Sequence, residues 1–375
     1  MLSVDRVAEN YAFLRKHLPR AGIYYAIKAN PHPRVLERLF ALDSHFDVAS
    51  AGEMEMLHAI GVDGSRMIYA NPVHDARGFS AASRLGVRRF TFDDASEIPK
   101  LAAAAPGADV LVRVQVHNSK ALVDLNTKFG APLDKALPLL RKAEQAGLHA
   151  KGICFHVGSQ SLTAAYEEAL LLVHHLFLEA EASGMHLTDL DIGGGFPIPS
   201  AEGLHVDLAA MLEAINRQLN RLFPHTAVWT EPGRFLCGTA MNLVTSVIGT
   251  KQRGDIPWYI LDEGIYGVFS GILFDHWEYP LHCFGKGRKV PSTFAGPSCD
   301  GIDVLYHDFP APKLPIGAKV LVSDIGAYTT VSATRFNGFE PAPVLIWEDQ
   351  ADLVAKSRKT SKADKASESC LAQMP

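Results

Sequence analysis

Cysteine is scarce in this chain and never closely paired: Cys154, Cys237, Cys283, Cys299 and Cys370 are scattered through 375 residues without a CxxC. An odd number at irregular spacing argues against a disulfide framework and a zinc site, so a reducing compartment and no metal are expected. Basic charge is not in excess either. Thirty-six Lys and Arg against 41 Asp and Glu leave a formal charge of −5, which offers no electrostatic footprint for nucleic acid. Long hydrophobic runs are missing too. The longest, Ala169 to Phe177, is broken by His174 and His175, too short and polar to span a membrane. The start, Met1 to Arg6, has no signal-peptide core. The expectation is a cytoplasmic protein without membrane or nucleic-acid partners. No internal repeat or coiled coil stands out, and the tail from Lys356 to Pro375 (expected domain boundary 356–375) is polar enough to be expected disordered.

What is present is alternation. Down to about residue 235, short β-type runs alternate with amphipathic helical stretches, the pattern of βα repeats around a parallel sheet. Strands are predicted at Ile23 to Ile27, His45 to Val48, Met67 to Ala70, Arg89 to Phe92, Val110 to Val116, Gly152 to Phe155, Leu187 to Ile192 and Ala227 to Thr230. Helical pattern follows most of them, as at Pro33 to Leu42, Ala51 to Ile60, Leu133 to Ala146, Ala164 to Ser183 and Asp207 to Phe223. Eight such units predict an α/β fold, a TIM-like (β/α)8 barrel over residues 4–235 with its site at the C-terminal ends of the strands. From 236 to 350 the helical period fades. Runs such as Asn242 to Ile248, Trp258 to Leu261, Ala318 to Val322 and Pro343 to Trp347, separated by Pro and Gly clusters, predict a second, mostly β domain.

The predicted strand ends carry Lys28, Asp47, Asn71, Asp93, His156, Asp191 with Gly193-Gly194-Gly195, and Glu231. Any one of these is what a turn requires. Their convergence on one barrel mouth is the stronger observation. Lys28 ends the apolar run Tyr24-Tyr25-Ala26-Ile27, where desolvation would penalise the ammonium and make a Schiff-base nucleophile. Taken alone, a lysine that snorkels to water is the better reading. The glycine triplet lets backbone approach a phosphate closely, although a tight turn explains it equally well. Glu231-Pro232-Gly233-Arg234 adds a carboxylate that can hold a heteroaromatic nitrogen protonated and a guanidinium for phosphate. His156 beside them could lie flat on a ring. That set of parts matches pyridoxal 5′-phosphate (PLP).

On these residues the chain resembles the fold type III, alanine-racemase-like PLP decarboxylases of basic amino acids, the ornithine decarboxylase type above all. The matching stretches are Tyr25 to Pro31, Phe46 to Ser50, Tyr69 to Pro72, Ser119-Lys120-Ala121, Lys128-Phe129-Gly130, His156 to Ser159, Asp191 to Pro197, Glu231 to Arg234, Gly296 to Gly301, Gly326-Ala327-Tyr328 and Phe336 to Phe339. The resemblance implies that Lys28 carries the cofactor, His156 stacks on its ring and Glu231 pairs with the ring nitrogen. It implies that Asp47, Arg113, Ser159, Gly193, Gly194, Gly195, Gly233, Arg234 and Tyr328 complete the cofactor site. Asp275, Asp300 and Tyr266 would bind substrate. Cys299 would protonate the α-carbon, reaching with Asp300 into the neighbouring subunit's site across a homodimer.

The implied activity is decarboxylation of L-ornithine to putrescine, in polyamine biosynthesis, with decarboxylation of lysine to cadaverine, or of both ornithine and lysine, as the alternative. One methylene separates the two substrates, worth only about 1–3 kcal/mol in a pocket. Diaminopimelate decarboxylases carry glutamate after the cysteine, where this chain has Asp300. An alanine-racemase-like enzyme would not need Asp275 with Asp300, and a non-catalytic relative would be expected to lose Lys28 or Cys299. Family members begin with a further strand for the β domain. This chain starts near that strand's end, so an exposed sheet edge, or one covered by a neighbour, is expected.

Overall fold

The computed structural model describes residues 1–118, 126–198 and 206–350. The matching stretch Ser119-Lys120-Ala121, Cys370 and the polar tail lie outside the described residues. Eight parallel strands, β1 (Ala21–Ala26), β2 (His45–Val48), β3 (Met67–Tyr69), β4 (Arg89–Phe92), β5 (Asp109–Arg113), β6 (His149–Cys154), β7 (Asp189–Asp191) and β8 (Ala227–Thr230), close into a barrel in sequence order. Closure comes from β1, which pairs with both β2 and β8.

Two boundaries differ from the sequence pattern in ways that matter. Ile27 and Lys28 leave the first strand and enter a 3₁₀ turn, Ile27–Ala29, so the lysine sits past the sheet rather than in it. The fifth strand stops at Arg113 because the chain beyond it turns away: Gln115 N–H bonds to the Ala131 carbonyl at 2.9 Å, and Ala131 N–H to that of Arg113 at 2.8 Å. The loop holding Lys128 and Phe129 is thereby drawn over the mouth.

The outer helices form because their apolar positions fall on one stripe. Leu208–Leu222 buries Met211, Leu212, Ile215 and Leu219, and the Asp207 carboxylate caps it by accepting from Ala210 N–H. Val4–His17 buries Val4, Val7, Tyr11 and Leu14, capped by Ser3. Inside the barrel a separate cluster contains Tyr24, Ile68, Leu111, Cys154 and Trp229. Arg89, at the start of β4, donates to the Tyr24 hydroxyl at 2.6 Å and lies 5.1 Å from the Trp229 ring centroid. These side chains pack the barrel interior below its C-terminal mouth.

The second sheet has six strands in the order β11-β14-β9-β10-β12-β13, namely β9 (Leu243–Arg253), β10 (Ile256–Leu261), β11 (Leu281–Cys283), β12 (Val290–Ala295), β13 (Val304–Ala311) and β14 (Lys319–Val322). The sequence pattern misses β11, which is only three residues long, and β12 and β13, which contain Pro291 and Pro310. Proline inside a run argues against a strand. Here the two prolines face each other in the β12–β13 register, and β13 is an edge strand. Pro343 to Trp347 forms no strand. Leu2 instead bridges Ile346 on one side and Met241 on the other, so the residues before the first helix are hydrogen-bonded into the second domain.

β6 and β7 approach so closely at Gly152 that a Cβ there would lie 1.7 Å from the Asp189 carbonyl oxygen. Gly152→Ala should therefore cost about 1–3 kcal/mol through overpacking, read as a lowered thermal unfolding midpoint. An unchanged midpoint would contradict this strand spacing.

Candidate active site

The strand ends surround a cavity of about 370 Å³ whose wall includes Lys28, Asn71, Arg113, Lys128, Phe129, His156, Ser159, Gly195, Glu231, Gly233, Arg234, Asp275 and Tyr328. Strand order explains part of the convergence: Lys28, Asn71, Arg113, His156 and Glu231 end or closely follow barrel strands, while Asp275 and Tyr328 come from the second domain. The Lys28 turn is fastened to the second domain. Asn30 Nδ2 donates to the Gly326 carbonyl at 2.9 Å, and Tyr328 N–H to that of Ala29 at 2.9 Å. Tyr328 adopts a left-handed φ of 56°, a costly conformation for a bulky residue that these bonds hold in place.

Lys28 is not the readily deprotonated lysine that its apolar run predicts. Its side chain remains 48% exposed, and that surface faces the cavity. Nζ donates to Asp47 Oδ2 at 2.6 Å. Burial pushes the ammonium down, but Asp47, Tyr328 and Glu231 push it up and prevail. The lysine is therefore a firmly held cation beside a carboxylate that is itself 1% exposed.

The acid groups are arranged in the opposite sense. Burial, with Asp191 and Asp47 as like-charged neighbours, raises the Glu231 carboxyl well above its usual range. Asp191, fully buried, accepts from Gly193 N–H at 2.8 Å and is pushed by burial up to about 7. His156 accepts from Gly158 N–H at Nδ1, 3.0 Å. Burial, then Arg113 and Lys28, lower its pKa to about 3, so the imidazole is neutral.

The glycine triplet has a different reason for being glycine from the one its sequence implies. A Cβ on Gly193, Gly194 or Gly195 would lie 2.4, 2.4 or 2.1 Å from the carbonyl oxygens of Phe155, Glu231 and Gly158 respectively. The loop packs backbone against backbone between the sixth and eighth strand ends. Of the three, only Gly195 reaches the cavity wall. Arg113 stacks 4.9 Å from the Phe129 ring centroid. Arg234 pairs with Asp275, so two residues expected to serve phosphate and substrate separately contact each other.

Cys299, Asp300 and Tyr266 do not line this cavity. Tyr266 donates to Asp300 Oδ2 at 2.5 Å and stacks on Phe336, ring centroids 4.1 Å apart, while Cys299 is exposed and its N–H bonds to Asn337 Oδ1 at 3.0 Å. Cys154, Cys237, Cys283 and Cys299 are all free thiols. Sequence reasoning also missed Glu53. Its Oε2 accepts from Ala49 N–H at 2.5 Å while Ser50 Oγ accepts from Glu53 N–H, and burial raises its carboxyl to about 7. The Ser50-x-x-Glu53 capping signature was the available signal. Among the described residues, no helix is long and apolar enough to cross a membrane and no acid, His or Cys group is placed to hold a metal.

A lysine-bearing mouth on a (β/α)8 barrel followed by a β domain defines a fold type III pyridoxal-phosphate enzyme. The family model for the pyridoxal-dependent decarboxylase, pyridoxal binding domain, matches residues 4–238. Lysine/ornithine decarboxylase of Selenomonas ruminantium is 73% identical over 355 residues, covering 94% of this chain and 90% of the relative. The solved structure of SrLDC in complex with PLP and cadaverine superposes with a TM-score of 0.91 at 69% identity, over 96% of this chain and 93% of that one. Lysine/ornithine decarboxylase from Vibrio vulnificus, complexed with putrescine, gives a TM-score of 0.86 at 35% identity, over 92% and 93%. The chain belongs to the PLP-dependent basic amino acid decarboxylases, and its cofactor is pyridoxal 5′-phosphate.

The cavity suits that cofactor on its own terms. Glu231 Oε1, Arg113 Nη2 and Arg234 Nε are buried polar atoms without hydrogen-bond partners among the described residues, which a protonated ring nitrogen and anionic oxygens can satisfy. Lys28 supplies the amine beside them.

The raised Asp191 carboxyl has a stability consequence. The folded state retains a proton that the unfolded chain releases above about pH 4, so this contribution is complete below that pH and is lost as pH rises through about 7. Without cofactor, Asp191→Asn should therefore gain thermal stability relative to the parent between about pH 5 and 8. A constant difference across that range would contradict the assignment.

Proposed function

We propose that this chain decarboxylates both L-ornithine and L-lysine, giving putrescine and cadaverine, with active sites shared across a homodimer. The observation that carries the reading is the pairing of a Lys28 and Glu231 cofactor site with two carboxylates, Asp275 and Asp300, suited to a distal ammonium. The 73% identity to a protein named for both substrates supports the dual reading over an ornithine-only one. So does the small energy by which pockets discriminate one methylene, about 1–3 kcal/mol.

When bound, pyridoxal phosphate supplies an aldehyde for the substrate amine and a ring that accepts the electron pair left as carbon dioxide departs. The protein's part is positional and electrostatic. Lys28 would hold the cofactor aldehyde through its amine. Glu231 would pair with the ring nitrogen and keep it protonated. His156, neutral and fixed by Gly158, presents a flat face to the ring without adding charge. Ser159, Gly233, Arg234 and Tyr328 receive the phosphate. Tyr266 holds Asp300 in the orientation that meets the distal ammonium in the neighbouring subunit's site, and the exposed Cys299 returns a proton to the α-carbon there.

Carbon dioxide and diamine formation from ornithine, lysine and diaminopimelate tests the reading. Ornithine and lysine should both react, with kcat/KM values within about 200-fold of each other, and diaminopimelate should not. Activity on diaminopimelate alone would refute it. Lys28→Ala and Cys299→Ala should each be inactive or nearly so, yet mixed subunits should recover part of the activity, because one hybrid site is intact. No recovery after subunit exchange would rule out a shared site.

A further inference from the structure

Arg234 is 6% exposed and lies between two rings, 4.8 Å from the Trp277 centroid and 5.0 Å from that of Tyr328. Its Nη2 donates to the Asp275 carboxylate, while its Nε has no partner among the described residues. Lys28, another cation of the cavity wall, is committed to Asp47. Asp275 is thus already neutralised by a buried guanidinium that lies against two rings.

An Arg–Asp pair carries no net charge. A distal ammonium arriving at Asp275 would have to displace Arg234 for little electrostatic gain. A phosphate ester carries about −1.5 to −2 at neutral pH. Placed against Arg234, it takes up the same cation through the unbonded Nε side and leaves the group with a net negative charge of about that size. An ammonium then has a strong reason to bind. The planar guanidinium, held by ring stacking, can turn donors from one anion to the other without moving away.

We infer that phosphate occupancy unmasks Asp275, so that cofactor phosphate and the substrate's distal ammonium bind cooperatively through Arg234. This rests on the reading of the substrate as a basic amino acid and adds an order to it: the distal subsite is completed by the cofactor. Coupling between two ligands is reciprocal and is typically about 5–150-fold.

The test uses the full chain prepared without cofactor, with inorganic phosphate and putrescine as probes, followed by calorimetry at constant ionic strength. Saturating phosphate should lower the Kd for putrescine about tenfold or more, and saturating putrescine should lower the Kd for phosphate by the same factor. Asp275→Asn should abolish the coupling while binding phosphate at least as tightly as the parent, which also shows that the variant is folded. Equal putrescine affinity with and without phosphate, no putrescine binding in either state, or coupling that survives in Asp275→Asn overturns the inference. Loss of phosphate binding in that variant also overturns it, by making Asp275 only a support for Arg234. Uncoupled binding with ornithine and lysine still decarboxylated by the PLP-loaded parent sinks this inference alone; absence of diamine product sinks the functional reading.

Discussion

Much of this site follows from a crowding of acids: Asp47, Asp191 and Glu231 stand together near the ammonium of Lys28. A carboxyl taken out of water beside other carboxyls resists ionisation unless a cation lies against it. Asp47 takes the ammonium at 2.6 Å. Asp191 accepts a backbone N–H from Gly193 and shares a side-chain hydrogen bond with Glu231, and both carboxyls are pushed up in pKa. A protonated pyridine nitrogen set against Glu231 would supply the cation that favours its ionised form.

The second domain is part of this arrangement rather than an appendage. The turn that carries Lys28 is hydrogen-bonded through Asn30 and Ala29 to the segment Gly326 to Tyr328. Tyr328 also supplies one of the two rings around Arg234, and Trp277 the other. A barrel mouth is built from loops, which are mobile unless fastened. Here the β domain fastens the first of them. It also carries Tyr266, Asp300 and Cys299, none of which lines the cavity.

Sequence reasoning reached most of the barrel because its signal is local. Alternation of short apolar runs with amphipathic stretches located eight strands, and the polar residues after them marked the mouth. It failed where the determinant was a contact between distant segments. The three-residue β11 and the proline-bearing β12 and β13 were hidden because their pairing partners override their own propensities. Glu53 was legible as a capping residue, but its place beside Asp47 and Lys28 was not.

The sequence by itself determined which functional groups exist and on which strand ends they fall, since period and turn chemistry are properties of neighbouring residues. Only the tertiary structure decided their ionisation and their partners. Lys28 is held as a cation because Asp47, from the adjacent strand, lies against it. Gly193, Gly194 and Gly195 are glycine because the carbonyls of Phe155, Glu231 and Gly158, in the loops after β6 and β8, leave no room for a Cβ. Arg234 faces Asp275 because the second domain folds over the barrel mouth. Distances between residues far apart in the chain set electrostatic energies, and no local pattern encodes them.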